Sequence, residues 1–188
     1  MEILVATHNE GKKKEIQQIL PNYKIKSLTD YNIFEEIIED GKTFAENAKI
    51  KAKYCFEKTG IPSLGDDSGL VIPALGGKPG IYSARYAGDH DFKANNKKVL
   101  EELKTVNNRK AYFITVLCFY KDGVENYFEG RVNGTITFSE KGAEGFGYDP
   151  IFIPENETRT FAEMSPTEKN HISHRFRAIQ AFEDYLKA

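Results

Sequence analysis

The chain has 188 residues, of which 40% are hydrophobic and 29% charged, and its formal net charge is −2. That length suits one well-packed domain spanning residues 1–188, and the composition is that of an ordinary soluble globular protein. Near-neutral charge excludes a global field for nucleic acid polymers or anionic membranes, so an anionic ligand would have to be met by a local cluster of cations. Cys55 and Cys118 lie inside apolar segments without metal-ligand spacing, which predicts two buried, reduced thiols. The opening MEILVATHN has no basic n-region, and no segment approaches the ~20 apolar residues of a membrane span. A cytoplasmic protein is expected.

ILVAT (Ile3 to Thr7) reads as a buried strand feeding the polar loop HNEGK. A helix follows, with Ile16, Ile19 and Leu20 on one face and Pro21 as its stop. YKIKSL reads as a second strand. In GKTFAENAKIKAKYCFEKTG, Thr43 and Glu46 form a capping box, and Phe44, Ala48, Ala52, Cys55 and Phe56 make the apolar stripe of a helix ended by Gly60. Lys51 and Lys53 fall off that stripe and are expected in solvent.

Next comes GDDSGL, where Asp66 and Asp67 sit between two apolar runs. Adjacent carboxylates disfavour each other's ionisation as water is removed, so a cation, a proton-transfer role or a solvated turn must offset the cost. Asp91 then caps a helix carrying Phe92, Asn96, Val99, Leu100 and Leu103. KAYFITVLCFY is apolar on both alternating faces and predicts a central strand. Asp122-Gly123 turns it into VENYFEGRVNGTITFS, a long, partly exposed strand. Ser165, Pro166 and Glu168 start a short helix, and Ser173 caps the last one, with Phe176, Ile179, Phe182 and Leu186 inward. Strands and helices interleave, with long antiparallel strands in the second half. The fold class is α/β, a mixed twisted sheet with flanking helices and two lobes around a central cleft.

Four loops carry polar residues and glycines instead of periodic pattern. THNEGKKK, between a strand and a helix start, offers backbone N–H groups and a positive dipole end to an anion, with Lys12 as a point charge and Thr7 and Asn9 as neutral donors and acceptors. It is not a Walker A loop. EDGKTFAEN puts Glu39 just before a helix start, a favourable place for any carboxylate. GDDSGL has the hard oxygen ligands that suit Mg2+, and Ser68 is placed to contact a phosphate. In the pair GFGYDPIF and EKNHISHRFRA, Phe146 and Tyr148 alternate with glycines, while His174 and Arg175 begin the last helix. On pattern alone those two read as a surface pair off the buried face. No G-x-S-x-G elbow supports a serine nucleophile.

Taken together, THNEGK, TFAENA, DDSGL, LGGKPGIYSARYAG, GFGYDPIF and SHRFRA occur in an order that closely resembles the inosine triphosphate pyrophosphatase family. The resemblance runs from Ile3 to the last helix. It implies an elongated mixed α/β fold, usually a homodimer. It also implies Mg-dependent hydrolysis of ITP, dITP and XTP to the monophosphate and pyrophosphate. Carried over by residue, it makes Asp67 the general base and a Mg2+ ligand, with Glu39 a second acid at the metal. Thr7, His8, Asn9, Glu10, Gly11, Lys12 and Ser68 would hold the triphosphate, with Lys51 a weaker candidate. Phe146, Gly147, Tyr148, Asp149, Lys169, His174 and Arg175 would line the nucleoside side. Arg175 has only donors and so suits the six-carbonyl of hypoxanthine or xanthine rather than the amino group of adenine. The second position of THNEGK is small in many relatives and is His8 here. The alternatives are a related pyrophosphatase for pyrimidine or modified nucleotides, separable by a substrate panel, and a non-catalytic nucleotide-binding module, which would show no Mg-dependent turnover.

Overall fold

In the computed structural model, which describes residues 1–188, the first strand β1 (Glu2–Val5) leads into helix α1 (Glu10–Ile19) and then strand β2 (Lys24–Lys26). Helix α2 (Phe44–Thr59) precedes strand β3 (Ser63–Val71), and helix α3 (Phe92–Glu102) precedes the long strands β4 (Lys110–Lys121) and β5 (Val124–Ile136). The short strand β6 (Phe152–Pro154) and helices α4 (Pro166–Asn170) and α5 (His174–Lys187) complete the chain. One six-stranded sheet has the order β2-β1-β3-β4-β5-β6. β1 pairs in parallel with β2 and β3, whereas β5 pairs antiparallel with β6, so the mixed α/β sheet expected from the interleaved pattern is present. No helix is long and apolar enough to cross a membrane.

The local signals act as their chemistry requires. Thr43 accepts from the Glu46 N–H at 3.1 Å at the start of α2, and Asp91 accepts from the Ala94 N–H at 3.0 Å at the start of α3. Ser165 and Glu168 form a reciprocal capping box. Asp122 and Gly123 both have positive φ, 51° and 81°, which a two-residue turn between twisted strands demands. β4 is buried over most of its length, Cys118 included, and Cys55 is buried on α2. Burial pushes both thiols well above their ordinary range, Cys55 to about 12 and Cys118 to about 11.

The chain divides into two compact units. The first comprises residues 1–67, 115–130 and 177–188, and the second residues 68–114 and 131–176. In the first, Ile3, Val5 and Leu64 pack with Ile16 and Leu20 of α1 and with Ile179 and Phe182 of α5. Leu4 and Ala6, pointing the other way, pack with Cys55 of α2 and with Leu28 and Ile33. Alternation along the strands therefore sends one set of side chains towards α1 and the next towards α2. The second unit has its own core of Leu70, Ile72, Val99, Phe113, Phe152 and Phe161 with their neighbours.

Candidate functional site

In the first unit, β1 reaches only as far as Val5 opposite Leu64, while β3 runs on. Asp66 and Asp67 thus lie in a strand beyond the carboxyl end of β1, not in a solvated turn. Strand alternation separates them. Asp66 shares the side of Leu64 and meets α1, where Lys12 Nζ is 3.6 Å from its Oδ1. Asp67 shares the side of Gly65 and meets α2, where Lys51 Nζ is 3.7 Å from its Oδ1. The repulsion expected from the sequence is therefore offset by two lysines on two helices, each one turn before a core residue, Ile16 or Cys55.

Gly65 makes the second contact possible. A Cβ there would stand 2.0 Å from the carbonyl oxygen of Ala48, so only glycine lets α2 approach this strand so closely. The close approach brings Asn47 and Lys51, one turn apart on α2, to Asp67. Lys51 corrects the expectation of a solvated lysine: its side chain is only 14% exposed and also holds Glu39 Oε1 at 2.8 Å and the Asp66 carbonyl. Lys53, at 47%, is in solvent as expected. Burial pushes the Asp67 carboxyl up to about 6; Glu39 and Asp66 add to that, and Lys51 opposes it. Burial pulls the Lys51 ammonium down, but Asp67 and Glu39 outweigh it and hold it above its ordinary value. Asp67 Oδ2 is buried without a hydrogen-bond partner.

That orphaned oxygen, with Glu39 reaching the same lysine, fits a hard divalent cation that takes one or two carboxylates and fills its other positions with water and phosphate. No three acidic, histidine or cysteine side chains converge, so an all-protein cage is absent.

The loop before α1 is more self-contained than its sequence suggests. Asn9 caps the helix by accepting from the N–H groups of Gly11 at 2.8 Å and Lys12 at 3.2 Å, and Thr7 Oγ1 accepts from the Asn9 N–H at 3.0 Å. Two of the backbone donors expected to meet an anion are thus already used by a side chain, and a phosphate must displace Asn9 to reach them. Glu10 accepts from Ser27 Oγ at 2.9 Å, and exposed His8 turns its Nε2 to the Ile33 carbonyl at 2.8 Å, pinning the loop to the segment after β2.

In the second unit, Lys169 Nζ binds Asp149 Oδ2 at 2.7 Å and lies 4.8 Å from the centre of the Phe146 ring. Asp149 Oδ2 also accepts from the Phe146 N–H at 3.0 Å, so one buried carboxylate fixes both the loop and the lysine. Phe146 itself is 45% exposed. Tyr148 is not a free aromatic surface: its ring is in the core and its hydroxyl donates to the Ser83 carbonyl at 2.7 Å. Gly147 presents its carbonyl to Asn96 Nδ2 at 3.0 Å.

His174 and Arg175 correct the expected surface pair, being 6% and 3% exposed. Ile179 and Phe182 of α5 are buried as expected and Leu186 is partly buried, but the buried face also takes in residues 174, 175 and 178, which leaves Phe176 at its margin. His174 stacks on Phe113, with ring centroids 4.8 Å apart, and Arg175 Nη2 donates to Ser68 Oγ at 3.3 Å. Sequence reasoning also missed Asn47, Gly65 and Asn96. Asn47 stood inside TFAENA, and a polar residue adjoining an apolar stripe was the available signal.

The sequence profile of the Ham1 family matches residues 3–185. A dITP/XTP pyrophosphatase of Aquifex aeolicus is 44% identical over 198 residues, covering 100% of this chain and 97% of that protein. One from Geobacter sulfurreducens is 45% identical over 190 residues, covering 98% and 96%. The structure of a HAM1 protein from Coxiella burnetii superposes with a TM-score of 0.94 at 38% identity, covering 100% of this chain and 98% of that one.

Proposed function

The chain belongs to the Ham1 family, and on that premise we propose that it is a nucleoside triphosphate pyrophosphatase for non-standard purines. Water is added across the bond between the α- and β-phosphates of dITP, XTP or ITP, giving the nucleoside monophosphate and pyrophosphate. Support comes from the near-full-length relatives named dITP/XTP pyrophosphatases and from one observation above the rest: a buried carboxylate, Asp67, with one oxygen unpartnered and Lys51 beside the other.

In this reading Asp67 is the general base. Burial, which pushes its carboxyl up, makes it a stronger proton acceptor, as catalysis of this kind favours. Its carboxylate takes a proton from water as the water oxygen bonds to phosphorus. Lys12 and Lys51 answer the negative charge that gathers on the phosphate oxygens as pyrophosphate leaves. Asp67 and Glu39 would hold a divalent cation, taken to be magnesium, which when bound supplies Lewis-acid neutralisation of the phosphates. Thr7, Asn9 and Ser68 bind phosphate oxygens as neutral partners.

Phe146 supplies a flat apolar surface, and Arg175 donates to the six-carbonyl of hypoxanthine or xanthine, which adenine lacks; guanine shares that carbonyl, so its exclusion needs a second feature that meets its two-amino group. A homodimer in the cytoplasm completes the reading. Sedimentation of the purified chain tests the first of these, and the catalytic claim is tested with dITP, XTP, dGTP and ATP, with and without Mg2+. The expected result is Mg-dependent release of pyrophosphate from the first two and little from the others; phosphate release, or equal rates on ATP, would reject it.

A further inference from the structure

We propose that Asn96 is a positioning residue for nucleotide binding: its amide holds the loop at 145–149 so that the Phe146 ring is presented to the base. The inference deepens the functional reading above and rests on it. Asn96 lies on α3, four residues after Phe92, and is 3% exposed. Its Nδ2 donates to the Gly147 carbonyl at 3.0 Å, while its Oδ1 is buried without a hydrogen-bond partner. Flipping the amide would set Oδ1 against a carbonyl oxygen, so the Gly147 bond fixes its orientation and leaves the acceptor unmade. Asn96 shares its face of α3 with Val99, which lies in the core of the second unit. Packing on that face suits a leucine, and an orphaned buried acceptor is a cost to stability. The bond to the loop is what accounts for the amide.

The loop needs that bond at one point. Gly147 has a positive φ of 62°, and nothing stands within 4 Å of where a Cβ would be, so packing does not restrain it. It joins exposed Phe146 to Tyr148, whose ring is in the core. Asp149 secures the Phe146 end: its Oδ2 accepts from the Phe146 N–H at 3.0 Å, and its own N–H returns to the Phe146 carbonyl at 3.2 Å. Asn96 secures the next carbonyl along the chain. The same helix meets the loop again through Phe92, whose ring centroid is 6.3 Å from that of Phe146, both rings being partly exposed. One end of α3 therefore sets the backbone at the joint and flanks the ring that the joint displays.

The discriminating variant is Asn96→Leu, which keeps the bulk but removes both the donor to Gly147 and the orphaned acceptor. We expect KM for dITP to rise about five- to tenfold with kcat within about twofold, the pattern of lost uniform binding and of a share of one stacked base. The melting temperature should stay level or rise, because a buried unmade acceptor is gone. In a Phe146→Ala background the same substitution should change KM by no more than about twofold, since a residue that acts through the ring has nothing left to position. Val99→Ala is the control: it opens the core one turn along the same helix and lowers the melting temperature, but should leave KM within about twofold. Native KM in Asn96→Leu, an undiminished rise in the Phe146→Ala background, or a rise matched by Val99→Ala would each overturn the inference. If Asn96→Leu does not fold, the same KM comparisons made with Asn96→Ala decide it. If the native chain released no pyrophosphate from dITP, the functional reading would fall instead. A crystal structure of Asn96→Leu would then decide the positioning, a displaced Phe146 supporting it and an unmoved loop overturning it.

Discussion

The acidic cluster on β3 and the aromatic loop at 145–149 are built by opposite means. On β3 the functional groups stand on a strand and are met by side chains from two helices, so regular secondary structure fixes every distance. At 145–149 the backbone is irregular, and one buried carboxylate, Asp149, secures both the loop and Lys169. The first arrangement concentrates charge; the second displays an exposed ring beside one neutralised ion pair. Proton transfer at phosphorus tolerates little misplacement, because an error of about 1 Å can cost 100-fold. Stacking on a base is forgiving, since every base has a flat face. In the proposed function the rigid part of the molecule carries the chemistry, and the loop contributes to the selection.

Substitutions can pull these two roles apart. Asp67→Asn should lower kcat on dITP by at least about 1000-fold with little change in KM, at the upper end of what a general base contributes. Its melting temperature should stay level or rise, because a buried carboxylate crowded by Glu39 and Asp66 has been removed. Near-native turnover would end its role as base. Lys51→Met should cost about 3–5 kcal/mol of stability, as removing one partner of a buried ion pair does. It leaves Glu39 and Asp67 close together without their shared cation, and chemical denaturation would measure the loss.

The selecting region should respond in binding rather than turnover. Arg175→Ala should cut the preference for dITP over dATP by about 10- to 100-fold, the value of one charged hydrogen bond, and competition kinetics would read it. An unchanged preference would detach Arg175 from base choice. Phe146→Ala should raise KM several-fold, in keeping with about 1 kcal/mol for one stacked ring, with kcat nearly constant.

The smallest effect lies away from both regions, at Asp30. The Lys13 ammonium and the Ser27 N–H lower its carboxyl to about 2. A depressed acid contributes stability fully above its unfolded pKa near 4 and loses it as pH falls towards 2. Asp30→Asn should flatten that part of the stability profile by no more than about 1 kcal/mol, as for other solvent-screened pairs, and acid titration followed by circular dichroism would register it.

Wherever the governing force is local, the sequence was enough. Caps at Thr43, Asp91 and Ser165, the Asp122-Gly123 turn and the doubly apolar run of β4 depend on neighbours within a few residues, so each element could be read in order. The mixed sheet followed from their alternation. Errors entered where polar residues occupy buried positions. Arg175 and Lys51 belong to buried helix faces, but a stripe defined by apolar residues alone leaves them outside. Tyr148 erred the other way, since a ring between glycines gives no sign that its hydroxyl is engaged by the Ser83 carbonyl.

What the sequence determined by itself was the set of chemical groups: a pair of adjacent acids, lysines on two helices, an aromatic loop and a cationic pair near the end. Their partnerships were decided only in three dimensions. Strand alternation turned Asp66 and Asp67 to opposite helices, and the missing Cβ of Gly65 let α2 close on one of them. Electrostatic and packing contacts act through space between residues far apart in the chain, so no spacing of letters records them.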